Sequence, residues 1–168
     1  EQTRAVFEAE ARRRGVVLTA EAAGLSAHTD PAILSRILRN LTANAVKFTP
    51  SGGAVTLCSR EAGDQVVIDV VDTGPGVSQA DRARIFEAFV RLEPDRGEGL
   101  GLGLSIVEHL AGALEAPLHF ESAPGAGTRA GVTLDAAGAQ AQAQRTPPAP
   151  VATRLSGAPL VLVIEDDE

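Results

Sequence analysis

Asn40, Asn44 and Lys47 fall at i, i+4 and i+7, so a helix carries all three on one face. Their types are unusual there. Asn breaks an otherwise apolar pattern and is a mediocre helix former, and Lys47 is the single lysine against fourteen arginines. A carboxamide oxygen is a hard ligand suited to Mg2+, and a compact ammonium is a point charge suited to a phosphate oxygen. A second cluster is Asp72-Thr73-Gly74-Pro75-Gly76. A carboxylate held at a strand end can accept from an exocyclic amine, and the glycines let the backbone turn tightly beside a flat ring. The third runs from Gly97 to Gly103. A P-loop would place Lys and Ser/Thr after its last glycine, where Leu104 stands, and a dinucleotide fingerprint from Gly99 and Gly101 would want Gly or Ala at 104 and a preceding strand. What remains is a glycine-rich helix N-terminus whose free N–H groups and positive dipole end suit an anion, most simply phosphate. Taken singly, each cluster has a plainer reading: capping or surface asparagines with a solvated lysine, an Asp-Gly turn, a glycine hinge.

The elements that must position these residues are legible in part. Thr29 or Asp30 can cap a helix with Pro31 at its first position, and Ile33, Leu34, Ile37, Leu38, Leu41 and Ala45 recur at three and four before Thr49-Pro50-Ser51-Gly52-Gly53 stops it. Val16-Val17-Leu18 reads as a short strand. Ala54 to Arg60 and Gln65 to Asp72 read as a hairpin turning through Ala62-Gly63-Asp64, with Cys58 a strand filler. Ser78 and Asp81 form a capping pair for a short helix reaching Phe86. The charged stretch from Arg91 to Gly99 reads as a surface loop, 101–114 as a second helix, and 118–122 and 128–134 as strands flanking Pro124-Gly125-Ala126-Gly127. Residues 1–15 are polar, with Arg12-Arg13-Arg14 a solvated face. Helices mixed with antiparallel hairpins predict an α+β sandwich with helices on one face of the sheet.

The three clusters together resemble those of the sensor histidine kinases. Asn40-Leu-Thr-Ala-Asn44-Ala-Val-Lys47-Phe48-Thr-Pro resembles their N box, and Asp72-Thr-Gly74-Pro-Gly76 their first glycine box. Ile85-Phe86-Glu87-Ala88-Phe89-Val90-Arg91 is similar to the F box, and Gly99-Leu-Gly101-Leu-Gly103-Leu-Ser-Ile-Val107 to the second glycine box. The four occur in order within 1–135. The resemblance implies the ATP-binding catalytic domain of the GHKL superfamily, a Bergerat-type α/β sandwich with a mixed, mostly antiparallel sheet and a site under a flexible lid.

By that resemblance Asn44 would coordinate Mg2+, Asn40 would help at the phosphates or metal, and Lys47 would reach the phosphate chain. Phe48 would lie near adenine, Asp72 would accept from its N6, and Gly74 and Gly76 would shape the base pocket. Gly99, Gly101 and Gly103, with Leu100, Leu102 and Leu104 between and after them, would close over the phosphates. Phe86 and Phe89 would anchor the lid by packing, and Arg91 is a further phosphate-contact candidate. Leu100 stands where a small or hydroxylated residue is frequent, and the lid is short. The hydrolysing relatives carry a Glu one turn before the metal-binding Asn; here that residue is Asn40, and an amide is no general base, so transfer to a nearby nucleophile is expected rather than hydrolysis. The acceptor would be a His on a separate helical dimerisation domain, in a homodimer. His28, His109 and His119 do not fit its motif, so ATP binding without autophosphorylation is expected of this chain alone. Alternatives are a non-catalytic ATP-sensing module and a GHKL ATPase.

Residues 136–158 are rich in Ala, Gln and Pro and read as a linker. The apolar run Pro159 to Ile164, ending in Glu165-Asp166-Asp167-Glu168, reads as a strand buried on both faces; it resembles the start of a receiver domain, which implies a receiver in cis or a response regulator as partner. The chain begins at Glu1 and holds no Met, and reads as a piece of a longer protein. Its net charge of −7 argues against a nucleic-acid groove, and its single Cys against an intrachain disulfide or a zinc site. No apolar run is long enough to cross a bilayer, so no membrane contact by this piece is expected; the resemblance implies a cytoplasmic setting, as the cytoplasmic portion of a bacterial sensor that can be membrane-anchored.

Overall fold

A computed structural model of the chain describes residues 2–21, 24–90, 101–137 and 161–162. After α1 (Gln2–Arg14) come β1 (Val17–Glu21), β2 (Ala27–His28) and α2 (Pro31–Phe48). Strands β3 (Ala54–Ala62) and β4 (Gln65–Asp72) precede a 3-10 turn at Arg84–Phe86 and α3 (Gly103–Ala113). Strands β5 (Leu118–Ala123), β6 (Gly127–Asp135) and β7 (Val161–Leu162) complete the described elements. Five strands form one sheet in the order β1-β3-β4-β6-β5. Only β1 and β3 run parallel; the other three pairings are antiparallel. The α+β sandwich with a mixed sheet is therefore as expected.

Helix α2 forms where its cap and period place it. Asp30 accepts from the Ala32 and Ile33 N–H groups at 2.8 and 3.1 Å, and Pro31 opens the first turn. Leu34, Ile37, Leu41 and Ala45 are buried, with Ile37 fully so. They pack on Val66, Ile68 and Val70 of β4 and on Val132 and Leu134 of β6 as one core. Burying such a stripe contributes roughly 1.5–3 kcal/mol per large aliphatic side chain.

Three differences from the sequence reading have physical causes. Residues 2–14, read only as a polar stretch, form α1, in which Glu8 pairs with Arg12 at 2.7 Å and Glu10 with Arg14 at 2.6 Å. Only Thr3 and Ala11 of it are buried, so it carries no apolar stripe to be recognised. Between Ser78 and Phe86 the capping contacts exist, Ser78 Oγ donating to Asp81 Oδ2 at 2.7 Å, but only the 3-10 turn follows. Glu87 is already extended (φ −70°, ψ 138°), and Phe86 is held edge-on to Phe120 with centroids 5.4 Å apart. The second helix begins at Gly103, because Gly101 has φ +71°, outside helical space. In addition β2, not anticipated, pairs antiparallel with β7 (Ala27 opposite Leu162) and bridges to Ala136.

Candidate nucleotide site

The C-terminal half of α2, the end of β4 and the N-terminus of α3 enclose a cavity of about 650 Å³. Asn40, Asn44, Lys47 and Phe48 line it from α2, Asp72 and Gly76 from the strand end and its turn, and Gly101, Leu102, Gly103 and Leu104 from the third cluster. All three clusters thus meet in one space, although 20 residues or more separate each from the next.

On α2, Asn40 donates from Nδ2 to the Arg36 carbonyl at 2.8 Å, which points its amide back along the helix and leaves Oδ1 as the acceptor. Asn44 abuts α3: a Cβ on Gly103 would come within 3.3 Å of Asn44 Oδ1. Glycine at 103 therefore keeps the first turn of α3, with its outward N–H groups, close to this carboxamide. Lys47 Nζ lies 5.0 Å from the centroid of the Phe48 ring, whose face holds the ammonium at the cavity wall. One neutral oxygen ligand beside a helix N-terminus and an ammonium fits a metal that takes its remaining ligands from phosphates and water, the usual arrangement for Mg2+.

At the other end, Asp72 Oδ1 accepts from the Gly74 N–H at 2.8 Å, and the Thr128 N–H also reaches this carboxyl. Burial pushes the Asp72 carboxyl above its ordinary value, and the two N–H groups only partly oppose that. It is an acceptor with capacity to spare, aimed into a partly apolar cavity. Gly76 has φ +69°, and a Cβ there would meet the Ala123 carbonyl at 1.9 Å. The turn after Asp72 is thereby pressed against the β5–β6 hairpin, which Val77 N–H also contacts by donating to Ser122 Oγ at 2.8 Å.

Gly74 is buried behind Asp72 rather than on the cavity wall, and it shapes the pocket by fixing the carboxylate. Phe86 packs on Phe120, which lines the cavity, so it supports the wall from outside. Phe89 is 72% exposed with φ +67° and is absent from the cavity lining, so among the described residues the expected packing anchor rests on Phe86. Arg91, Gly99 and Leu100 lie outside the described residues. Thr128 and Phe120, both on the wall, escaped the sequence reading. They come from strands about fifty residues after Asp72, and the β4–β6 pairing (Asp72 opposite Thr128) together with the β5–β6 pairing (Phe120 opposite Ala130) brings them there.

Residues 29–138 match the family model described as histidine kinase-, DNA gyrase B-, and HSP90-like ATPase. Among curated proteins the chain is 37% identical over 96% of its length to the virulence sensor protein BvgS of Bordetella bronchiseptica, and 40% identical over 79% to the sensor protein KdpD of Rathayibacter rathayi. It spans 14% and 16% of the length of these two relatives. Among solved structures it superposes on full-length ShkA in complex with AMPPNP (TM-score 0.70, 33% identity, 80% of this chain and 28% of that one). It superposes also on the mycobacterial sensor histidine kinase MprB (TM-score 0.67, 26% identity, 80% of this chain and 91% of that one). Among the described residues no helix is long and apolar enough to cross a membrane.

Proposed function

Because the chain belongs to the histidine kinase-, DNA gyrase B-, and HSP90-like ATPase family, we propose that it binds ATP with Mg2+ in this cavity and presents the γ-phosphoryl group to a histidine on a separate dimerisation domain. The observation that carries the reading is the convergence of Asp72 at one end of the cavity with Asn44, Lys47 and the α3 N-terminus at the other. Adenine N6 donates to the Asp72 carboxylate beside Gly74 and Gly76. Lys47, the N–H groups of Gly103 and Leu104, and the second Nδ2 hydrogen of Asn40 hold phosphate oxygens. Mg2+, held by Asn44 Oδ1 and the phosphates, would neutralise charge on the transferring group. Transfer forms a bond from phosphorus to an imidazole nitrogen and breaks the bond to the β–γ bridging oxygen, which leaves with ADP; the imidazole proton passes to solvent.

Asn40 is what favours transfer over hydrolysis. Its amide is neutral and already donates to the Arg36 carbonyl, so it can orient a phosphate but cannot deprotonate water. The same reading assigns 1–135 to the catalytic domain, 136–158 to a linker and 159–168 to the start of a receiver-like domain, with a receiver in cis or a response regulator as phosphoryl sink. It makes the parent a homodimer through its dimerisation domain and places this domain in the cytoplasm.

The test uses this chain, γ-labelled ATP with Mg2+, and a dimeric helical domain carrying the acceptor histidine. Expected are saturable nucleotide binding, label appearing as acid-labile phosphohistidine only when the helical domain is added, and loss of transfer in Asn44→Ala. Binding without transfer to any supplied histidine domain would instead make the chain a nucleotide sensor, and steady release of inorganic phosphate without acceptor would make it an ATPase.

A further inference from the structure

The face of the sheet opposite the helices carries a buried charge that the nucleotide site does not use. Asp69 is 1% exposed. Its register neighbours form one row across all five strands: Glu21, Cys58, Asp69, Gly131 and His119. Among the described residues of this face, the only other buried side chain is Val67. Asp69 Oδ1 bonds His119 Nε2, and Oδ2 accepts from Arg129 Nη1 at 3.0 Å. His119 stands two strands away and reaches Asp69 because Gly131, between them, has no side chain. A Cβ on Gly131 would lie 2.7 Å from Asp69 Oδ1 and 2.0 Å from the Ile68 carbonyl.

A carboxylate so placed ties β4 to β6 and β5 with directional charge-assisted bonds, whereas aliphatic pairs leave neighbouring rotamers and small slips open. Asp69 lies three residues before Asp72 on β4. Arg129 is the residue after Thr128 on β6, and Thr128 stands directly opposite Asp72 and gives it an N–H. The clamp on one face therefore adjoins the base-recognising pair on the other, through two consecutive residues of β6.

We propose that Asp69, clamped by Arg129 and His119, is a positioning group that fixes the register and orientation of the Asp72–Thr128 pair and so sharpens recognition of the adenine amino group. It acts only through Asp72. This rests on the reading that Asp72 accepts from adenine N6, and the experiment separates the two.

Binding to the full chain is measured for ATP and for purine riboside triphosphate, which differs from ATP in lacking the 6-amino group. Wild type is expected to prefer ATP. Asp69→Asn and Arg129→Gln are expected to weaken ATP about three- to tenfold while changing the analogue less than twofold. Arg129→Lys, which keeps a cation, is expected to restore most of the preference. Arg129 is half exposed, so its variants keep the test decisive if Asp69→Asn does not fold. Equal weakening of both nucleotides, or no change in either, overturns the positioning role if Asp72→Asn still abolishes the preference. If Asp72→Asn leaves the preference intact, the base-recognition reading falls and the positioning role with it.

Discussion

Asp69 and Asp72 sit three residues apart on one strand and face opposite ways, and their surroundings differ as much as their directions. Asp69 is almost fully buried, and both its oxygens are spent on side chains, one on an imidazole and one on a guanidinium. Asp72 is half-buried, meets only backbone N–H groups and looks into a cavity. A buried charge must be paired, so the first carboxylate is compensated by the protein itself. The second is undercompensated, since burial raises its proton affinity more than two N–H donors lower it. One is a strut. The other, on the proposed function, is a receptor that a ligand's donor completes.

The strut half of the comparison breaks most severely at Gly131. A Cβ there collides with the Ile68 backbone carbonyl at 2.0 Å as well as with Asp69, and backbone cannot rotate away. Gly131→Ala is expected to cost roughly 1–3 kcal/mol, lowering Tm by about 5–15 °C in thermal unfolding. A Tm within a degree of wild type would mean that the β4–β6–β5 row tolerates spreading and that the Asp69 clamp is loose.

Asp72 is expected to show the reverse, a large effect on binding and a small one on stability. Asp72→Asn keeps an oxygen for the Gly74 N–H but gives up the charge-assisted bond proposed to the base, worth about 1.5–3 kcal/mol, or about tenfold or more in ATP affinity by titration calorimetry. The pH dependence sharpens it. A carboxyl whose folded pKa is raised contributes stability that is present at low pH and lost as pH rises through that pKa, so the wild-type Tm should gain on that of Asp72→Asn as pH falls. ATP affinity should move oppositely, because the base needs the ionised form: it declines on acidification above the ordinary Asp value of about 3.9, and Asp72→Asn keeps only the part of the decline that protonation of the ATP phosphates causes. Parallel trends of Tm and affinity would refute the assignment.

The same contrast explains how far the sequence could be read. Asp72 announces itself, because the base-recognition role proposed for it needs glycines beside it in the chain, and the amphipathic period of α2 carries Asn40, Asn44 and Lys47 to one face. Those signals are local. Asp69 reads as one polar residue in an apolar strand, since Gly131 and His119, which give it meaning, are more than forty residues away. Thr128 and Phe120 reach the cavity by the same long-range pairing. Helix α1 was invisible for a different reason: side-chain ion pairs along its surface leave no apolar period. The 3-10 turn at Arg84–Phe86 is set by the packing of Phe86 on Phe120, which no capping pair encodes.

Glu10 on α1 supplies the exposed end of the comparison and the smallest expected effect. It is paired, like Asp69, with Arg14 Nε at 2.6 Å and with Arg13, yet it stands in solvent. The Arg14 hydrogen bond holds its carboxyl below the ordinary value. A depressed folded pKa contributes stability that is present above the unfolded pKa and lost as pH falls through the folded one. Water and ions screen an exposed pair, so Glu10→Gln should lower Tm by no more than about 2 °C at neutral pH and low salt. The difference should shrink further at 1 M salt, where the Debye length is about 3 Å, and at acid pH, where Glu10 is itself neutral. Asp69→Asn, measured in the same salt series, should keep most of its Tm deficit, because its partners close over a carboxylate that solvent ions do not reach. Equal salt sensitivity of the two variants would show that the Asp69 cluster is wet, and would remove the ground for treating it as a strut.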